Sequence, residues 1–153
     1  MILSQSTEYT LRIVAFLALN SEPAPFQARE VTKEAHIPMH YSAKILRKLS
    51  KVGILRATKG HSTGYEIAQS PSKIRFIDII EAIEDEIGGC VFEWETSSNQ
   101  DPSMLRDLWE ELNETFIGWA RKTTLADVMK DVNAKGSRSF YREILKLDGE
   151  ECQ

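Results

Sequence analysis

Only two cysteines occur in the 153 residues, Cys90 and Cys152, and no apolar run approaches the roughly 18 residues that a membrane span requires. Two isolated thiols make neither a disulfide framework nor a structural zinc site. The start, MILSQSTEYT, lacks a basic stretch followed by a long apolar one. These absences predict a cytoplasmic chain in a reducing compartment, with no membrane partner. Also missing are a phosphate-cradling glycine loop, a nucleophile elbow and an acid/base constellation, so no catalysis is expected. His36 and His40 stand at i and i+4, but Pro38 lies between them and His40 falls on a basic face, so no metal is expected there.

With 42% apolar and 27% charged residues, the chain reads as one soluble globular core. Its net charge of -4 is unevenly divided. Residues 1–70 hold nine Lys and Arg against five Asp and Glu, whereas residues 71–153 hold ten against eighteen, giving +4 and -8. Between residues 36 and 65 lie six basic residues, Lys44, Arg47, Lys48, Lys51, Arg56 and Lys59, and no acid. The local field, not the overall charge, governs attraction to a polyanion.

Periodicity organises the rest. Ser4 is placed to cap a first helix with Tyr9, Ile13, Phe16 and Leu17 on one stripe. The prolines at 23 and 25 break the pattern. A short helix over 27–35 turns Val31 and Ala35 inward, and His36, Ile37 and Pro38 interrupt it. Pro38 then opens a helix over 39–52, with Tyr41, Ile45, Leu46, Leu49 and Val52 on its apolar side and His40, Lys44, Arg47, Lys48 and Lys51 on the other. Gly53 occupies a left-handed C-terminal position. Strands are expected over 54–58 and 65–68, joined by a glycine-containing tip over 59–64. After Pro71, Phe76, Ile80, Ile83 and Ile87 recur at helical spacing up to Gly88 and Gly89. A loop runs to about residue 102, then a helix over 102–122 carries Leu105, Leu108, Trp109, Leu112, Phe116 and Trp119, a stripe that wants a partner surface. A shorter helical segment, 124–129, and a mixed-charge tail follow.

A helix that enters the major groove needs one apolar face for anchorage and one polar face for contact, and residues 39–52 supply both. Met39, His40, Tyr41 and Lys44 lie at its N-terminal end, where helix-turn-helix proteins touch base edges. Lys48, Lys51 and Arg56 suit phosphate oxygens. Gly60 and Gly64 let the hairpin tip turn tightly and approach the backbone, with Lys59 and His61 directed at a minor groove. The architecture expected is mainly α with a small β-hairpin wing: a winged helix-turn-helix over 1–70, a connecting helix and sensor-type loop over 71–101, a dimerisation helix region over 102–130 and a tail over 131–153. The competing reading is a winged-helix protein-interaction module that binds no DNA.

The ordered set Tyr9-Thr10-Leu11-Arg12, IPMHYSAKILRKL over 37–49, Val52-Gly53-Ile54-Leu55, the tip from Lys59-Gly60 to Gly64-Tyr65, residues 74–84, and Leu108-Trp109 through Leu125-Ala126-Asp127 resembles the Rrf2 family of bacterial transcription regulators over about residues 1–130. The resemblance implies a homodimer held by the long helix, docking on a pseudo-palindromic double-stranded operator, and the regulator is expected to be a repressor. The family's wing usually has Arg where this chain has Lys59, and two adjacent glycines where it has Thr63-Gly64. Ala43 replaces a longer polar residue of some members. Many members bind an iron-sulfur cluster through three cysteines in the loop after the fourth helix, but here that loop holds only Cys90; one thiolate per chain cannot make the usual four-ligand set, so no conventional cluster is expected, the alternative being one completed across a dimer by Glu8 or Cys152. Glu8 lies where some relatives place an acidic cluster ligand, or is simply a first-turn acid that suits the helix dipole. Cys90 is either a thiol switch or an inert cysteine. Trp94 with Trp109, Phe116 and Trp119 lines a pocket for a small effector, or the helical aromatics are dimer core.

Overall fold

A computed structural model of the protein describes residues 4–20, 22, 25–84 and 103–135, the last stretch with side chains over 106–130. Helix α1, Gln5–Leu19, is the axle. Ser4 caps it by accepting from the Thr7 amide at 3.2 Å, and Ile13, Val14 and Leu17 are almost fully buried. Helix α2, Ala28–Glu34, packs Val31 onto α1, and its turn into the next helix passes through His36 at a left-handed φ of 53°. That turn is closed by bonds from the Ile37 amide to the Thr32 carbonyl and from the His36 amide to the Lys33 carbonyl. Helix α3, Met39–Lys51, begins directly after Pro38, which sits at the N-cap. Leu46 and Leu49 are fully buried, each contributing about 1.5–3 kcal/mol of transfer free energy.

Gly53, at φ 77°, reverses the chain out of α3 into an antiparallel hairpin of β1, Leu55–Thr58, and β2, Gly64–Ile67. Phe26 extends this hairpin: its amide donates to the Tyr65 carbonyl at 3.0 Å and its carbonyl accepts from the Tyr65 amide at 2.7 Å. A 3₁₀ turn, Pro71–Lys73, leads to α4, Phe76–Glu81. Helix α5, Ser103–Lys122, lies on α4 through Phe116, Ile117 and Ala120. Helix α6, Leu125–Lys135, returns to α1, and Leu125 joins the main core. The α5–α6 junction is stitched to the entry of α4, with the Leu125 amide donating to the Ile74 carbonyl at 2.8 Å and the Phe76 amide to the Thr123 carbonyl at 3.0 Å.

Four expectations are corrected. Helix α4 stops at Glu81 instead of continuing toward Gly88: the Ile83 and Glu84 amides both donate to the Ile80 carbonyl, and the Glu84 carboxylate is drawn to the Ser4 and Thr7 hydroxyls. Residues 85–102, with Ile87, Cys90 and Trp94, lie outside the described residues, as does Cys152. Helix α6 runs beyond the segment 124–129 to Lys135, and Thr124 and Asp127 cap its start reciprocally. Val52, assigned to the apolar face of α3, is 51% exposed at its C-cap. Gly64 does not serve the turn of the tip: only Gly60, at φ 106°, has a positive φ there, and Gly64 is buried beneath Phe26, where a Cβ would lie 2.6 Å from the Phe26 carbonyl oxygen.

Candidate nucleic-acid interface

Met39, His40, Lys44, Arg47 and Lys51 are all exposed on the outer side of α3, on the side away from Ile45, Leu46 and Leu49. Tyr41 is half-buried. Its ring meets Tyr9 edge-on at 5.2 Å and His40 at 4.4 Å, and its hydroxyl donates to Gln5 Oε1 at 3.5 Å. A buried hydroxyl pair, Thr32 Oγ1 and Ser42 Oγ at 2.7 Å, locks α2 to α3 and so sets the angle at which the basic face is offered.

The six cations of segment 36–65 are not equivalent. Lys44, Arg47, Lys51 and Lys59 are exposed. Lys48 is half-buried and its ammonium donates to the Ile83 carbonyl at 3.1 Å, at the end of the α4 segment. Arg56 is paired across the hairpin with Glu66, 2.8 Å from guanidinium to carboxylate. A phosphate contact from either residue has to compete with these intramolecular bonds. The tip over 59–63 is exposed throughout, including His61, and is braced by Thr58 Oγ1 donating to the Ser62 carbonyl at 2.7 Å and Thr63 Oγ1 donating to the Gly60 carbonyl at 2.8 Å.

Sequence reasoning missed a second cluster. Glu84 accepts hydrogen bonds from the hydroxyls of Ser4 and Thr7, and Lys48 lies close enough to add its field. Burial pushes the Glu84 carboxyl up, but those hydroxyl bonds and the Lys48 charge outweigh it and hold the group below the ordinary glutamate value. The end of α4, the cap of α1 and the basic helix thus meet at one point. No periodic pattern marks this convergence, because it joins residues far apart in sequence.

On α5, Leu108, Leu112 and Trp119 are 54%, 45% and 48% exposed, while Trp109 and Phe116 are half-buried. The Trp119 ring lies tilted against Phe76, with centroids 5.1 Å apart, and 6.0 Å from Phe116. The backbone of Leu105 is within α5 and its side chain lies outside the described residues. Scattered apolar exposure is ordinary on a monomer, but three large side chains along one helix form a patch of the kind that marks an interaction surface.

Residues 3–131 match the Rrf2 family, described as an iron-dependent transcriptional regulator. The chain is 32% identical over 133 residues to a protein of Aquifex aeolicus assigned as an HTH-type transcriptional regulator, spanning 84% of this chain and 92% of that protein. It is 23% identical to the HTH-type transcriptional regulator IscR of Klebsiella pneumoniae, over 99% of this chain and 87% of that one. In fold it is similar to CymR, the global cysteine regulator of B. subtilis, with a TM-score of 0.68 at 23% identity over 84% of this chain and 95% of that one. It is likewise similar to IscR of T. potens, with a TM-score of 0.69 at 22% identity over 88% and 90%.

The family description raises iron, and the donor set can be tested against it. Iron-sulfur clusters are held by soft thiolates, usually four, and this sequence contains two cysteines in all. Among the described residues no three His, Cys, Asp or Glu side chains converge as a metal site. Glu8, the candidate acidic ligand, is paired at 2.5 Å with Arg12, whose side chain is 9% exposed and sits 5.9 Å over the Tyr9 ring. These residues do not fit a conventional cluster. Among the described residues no helix is long and apolar enough to cross a membrane. The winged helix-turn-helix, the family match and the relatives agree: the chain belongs to the Rrf2 family of non-enzymatic, DNA-binding transcription regulators.

Proposed function

We propose that two copies of this chain associate along α5 and act in the cytoplasm as a sequence-specific repressor on a pseudo-palindromic operator. The observation that carries the reading is the exposed, acid-free face of α3 beside an exposed basic hairpin tip, in a family of DNA-binding regulators. Twofold pairing through the Leu108, Leu112 and Trp119 patch would bury that apolar surface and repeat the basic face once per half-site. Signal response is assigned to the segment around Cys90 and Trp94, through a redox or small-molecule effector, without the conventional cluster. In support, the described chain leads into that segment at Glu84, whose carboxylate already sits beside Lys48 of the basic helix.

Sedimentation of the full-length protein is expected to give a dimer, and Leu112→Glu a folded monomer that no longer binds long palindromic duplexes tightly. A wild-type monomer, or a Leu112→Glu dimer, would reject association through α5. Protein purified without oxygen is expected to be colourless and essentially free of iron. Visible absorption with stoichiometric iron would overturn the cluster-free assignment.

A further inference from the structure

The segment over 36–65, which holds both α3 and the hairpin, contains no Asp or Glu, and it contains no Asn or Gln either. Adenine is read by paired hydrogen bonds from a carboxamide and the cytosine amino group by a carboxylate, whereas guanine presents O6 and N7 to donors and thymine presents a methyl group. On the exposed face of α3, Met39, Ala43 and Arg47 fall in one row at i, i+4 and i+8, and His40 and Lys44 in the next. Met39 is 51% exposed, and its sulfur lies 3.7 Å from Thr32 Oγ1, a contact that rests the flexible side chain against α2. Ser42 is buried, so the side-chain acceptors remaining on that face are the His40 imidazole and the Tyr41 hydroxyl, each limited to a single contact.

Building on the DNA-binding reading above, we infer that α3 reads guanine through Lys44 or Arg47 and thymine methyl groups through Met39, and takes little information from adenine or cytosine amino groups. The operator half-site is therefore specified in the major groove by guanine and thymine edges.

The test uses duplexes enriched by the full-length protein from a randomised library, then altered one atom group at a time. At a thymine under α3, replacement by deoxyuridine removes only the methyl and is expected to weaken wild-type binding about fourfold. The same replacement is expected to have no effect on Met39→Ala. At a guanine, 7-deazaguanine is expected to cost about fivefold or more, an effect lost in Lys44→Ala or Arg47→Ala. Removing the adenine amino group with deoxynebularine is expected to change little. Because Met39, Lys44 and Arg47 are exposed, thermal unfolding of the variants should match wild type and exclude misfolding. The inference is overturned if amino-group removal costs tenfold while deoxyuridine and 7-deazaguanine are silent. A library from which no sequence is enriched rejects the regulator reading itself, and this inference with it.

Discussion

The ammonium of Lys48 donates to the carbonyl oxygen of Ile83 at 3.1 Å, so the basic helix is tied to the end of the α4 segment by one of its own cations. The bond satisfies a carbonyl that has left the helical ladder, and Glu84 beside it lends the ammonium a counter-charge. Lys48→Met keeps the aliphatic stem and removes these interactions. It is expected to lower the unfolding free energy by about 1 kcal/mol, toward the lower part of the range for charge-assisted bonds because the site is partly open to water. Lys51→Met, on the exposed side, should stay within about 0.5 kcal/mol of wild type. Urea unfolding of both variants decides it, and equal stabilities would show that the Lys48 contact contributes nothing.

Glu84 contributes to the acid limb of stability. Its carboxyl is held below the ordinary value of 4.5, so its contribution is fully present above that pH and is lost as pH falls through the depressed folded value. Glu84→Gln has no carboxylate to titrate and lacks this contribution. The stability gap between wild type and Glu84→Gln should be of the order of 1 kcal/mol at neutral pH and narrow once the pH drops below the glutamate range. Asp78, lowered chiefly by its hydrogen bond from the Arg75 side chain, titrates in both proteins and cancels in the difference. A gap that is constant from neutral pH down to about pH 3.5 would show that the two proteins differ in something other than the Glu84 charge.

The two hairpin glycines are expected to separate sharply. A Cβ at residue 64 would lie 2.6 Å from the Phe26 carbonyl oxygen, against backbone that is itself bonded to Tyr65. Gly64→Ala therefore has to part Phe26 from β2, at a cost of about 2 kcal/mol or more. At Gly60 nothing lies within 4 Å of the added atom, and only the φ of 106° opposes it, so Gly60→Ala should cost about 1 kcal/mol. Thermal unfolding that ranks Gly60→Ala as the more damaging would contradict the close-approach explanation.

The elements legible in the sequence were those with a repeating signal. Buried Ile45, Leu46 and Leu49 opposite exposed Lys44 and Arg47 follow from the period of α3, and Gly53 marks its end as expected. What the pattern did not carry was contact between distant segments. Phe26 pairing with Tyr65, the Thr124 to Arg75 bridge and the Ser4, Thr7, Glu84 and Lys48 cluster each join residues whose local sequence is compatible with several partners. The same gap explains the roles of Lys48 and Arg56. Helical phase places Lys48 near the basic face, but only the position of Ile83 and Glu84 reveals that its charge is engaged, and only strand register brings Glu66 opposite Arg56.

Lys44 and Lys51 lie two turns apart on α3 and are expected to fail in different ways. Lys44, near the N-terminal end that enters a groove, is placed for a base edge, and Lys51, in the last turn, for phosphate. With about six to ten phosphate contacts, wild-type affinity should fall on the order of a thousandfold or more between about 50 and 200 mM salt. Lys51→Ala removes one contact per half-site, so it should reduce the salt slope by roughly two in a dimer and weaken enriched and random duplexes alike. Lys44→Ala should leave random duplexes nearly unaffected and weaken the enriched sequence by about 1–3 kcal/mol. Titrations at several salt concentrations with both duplexes separate the two roles. Equal losses on both duplexes for both variants would mean that Lys44 supplies charge without reading sequence, and guanine recognition by α3 would then fall to Arg47.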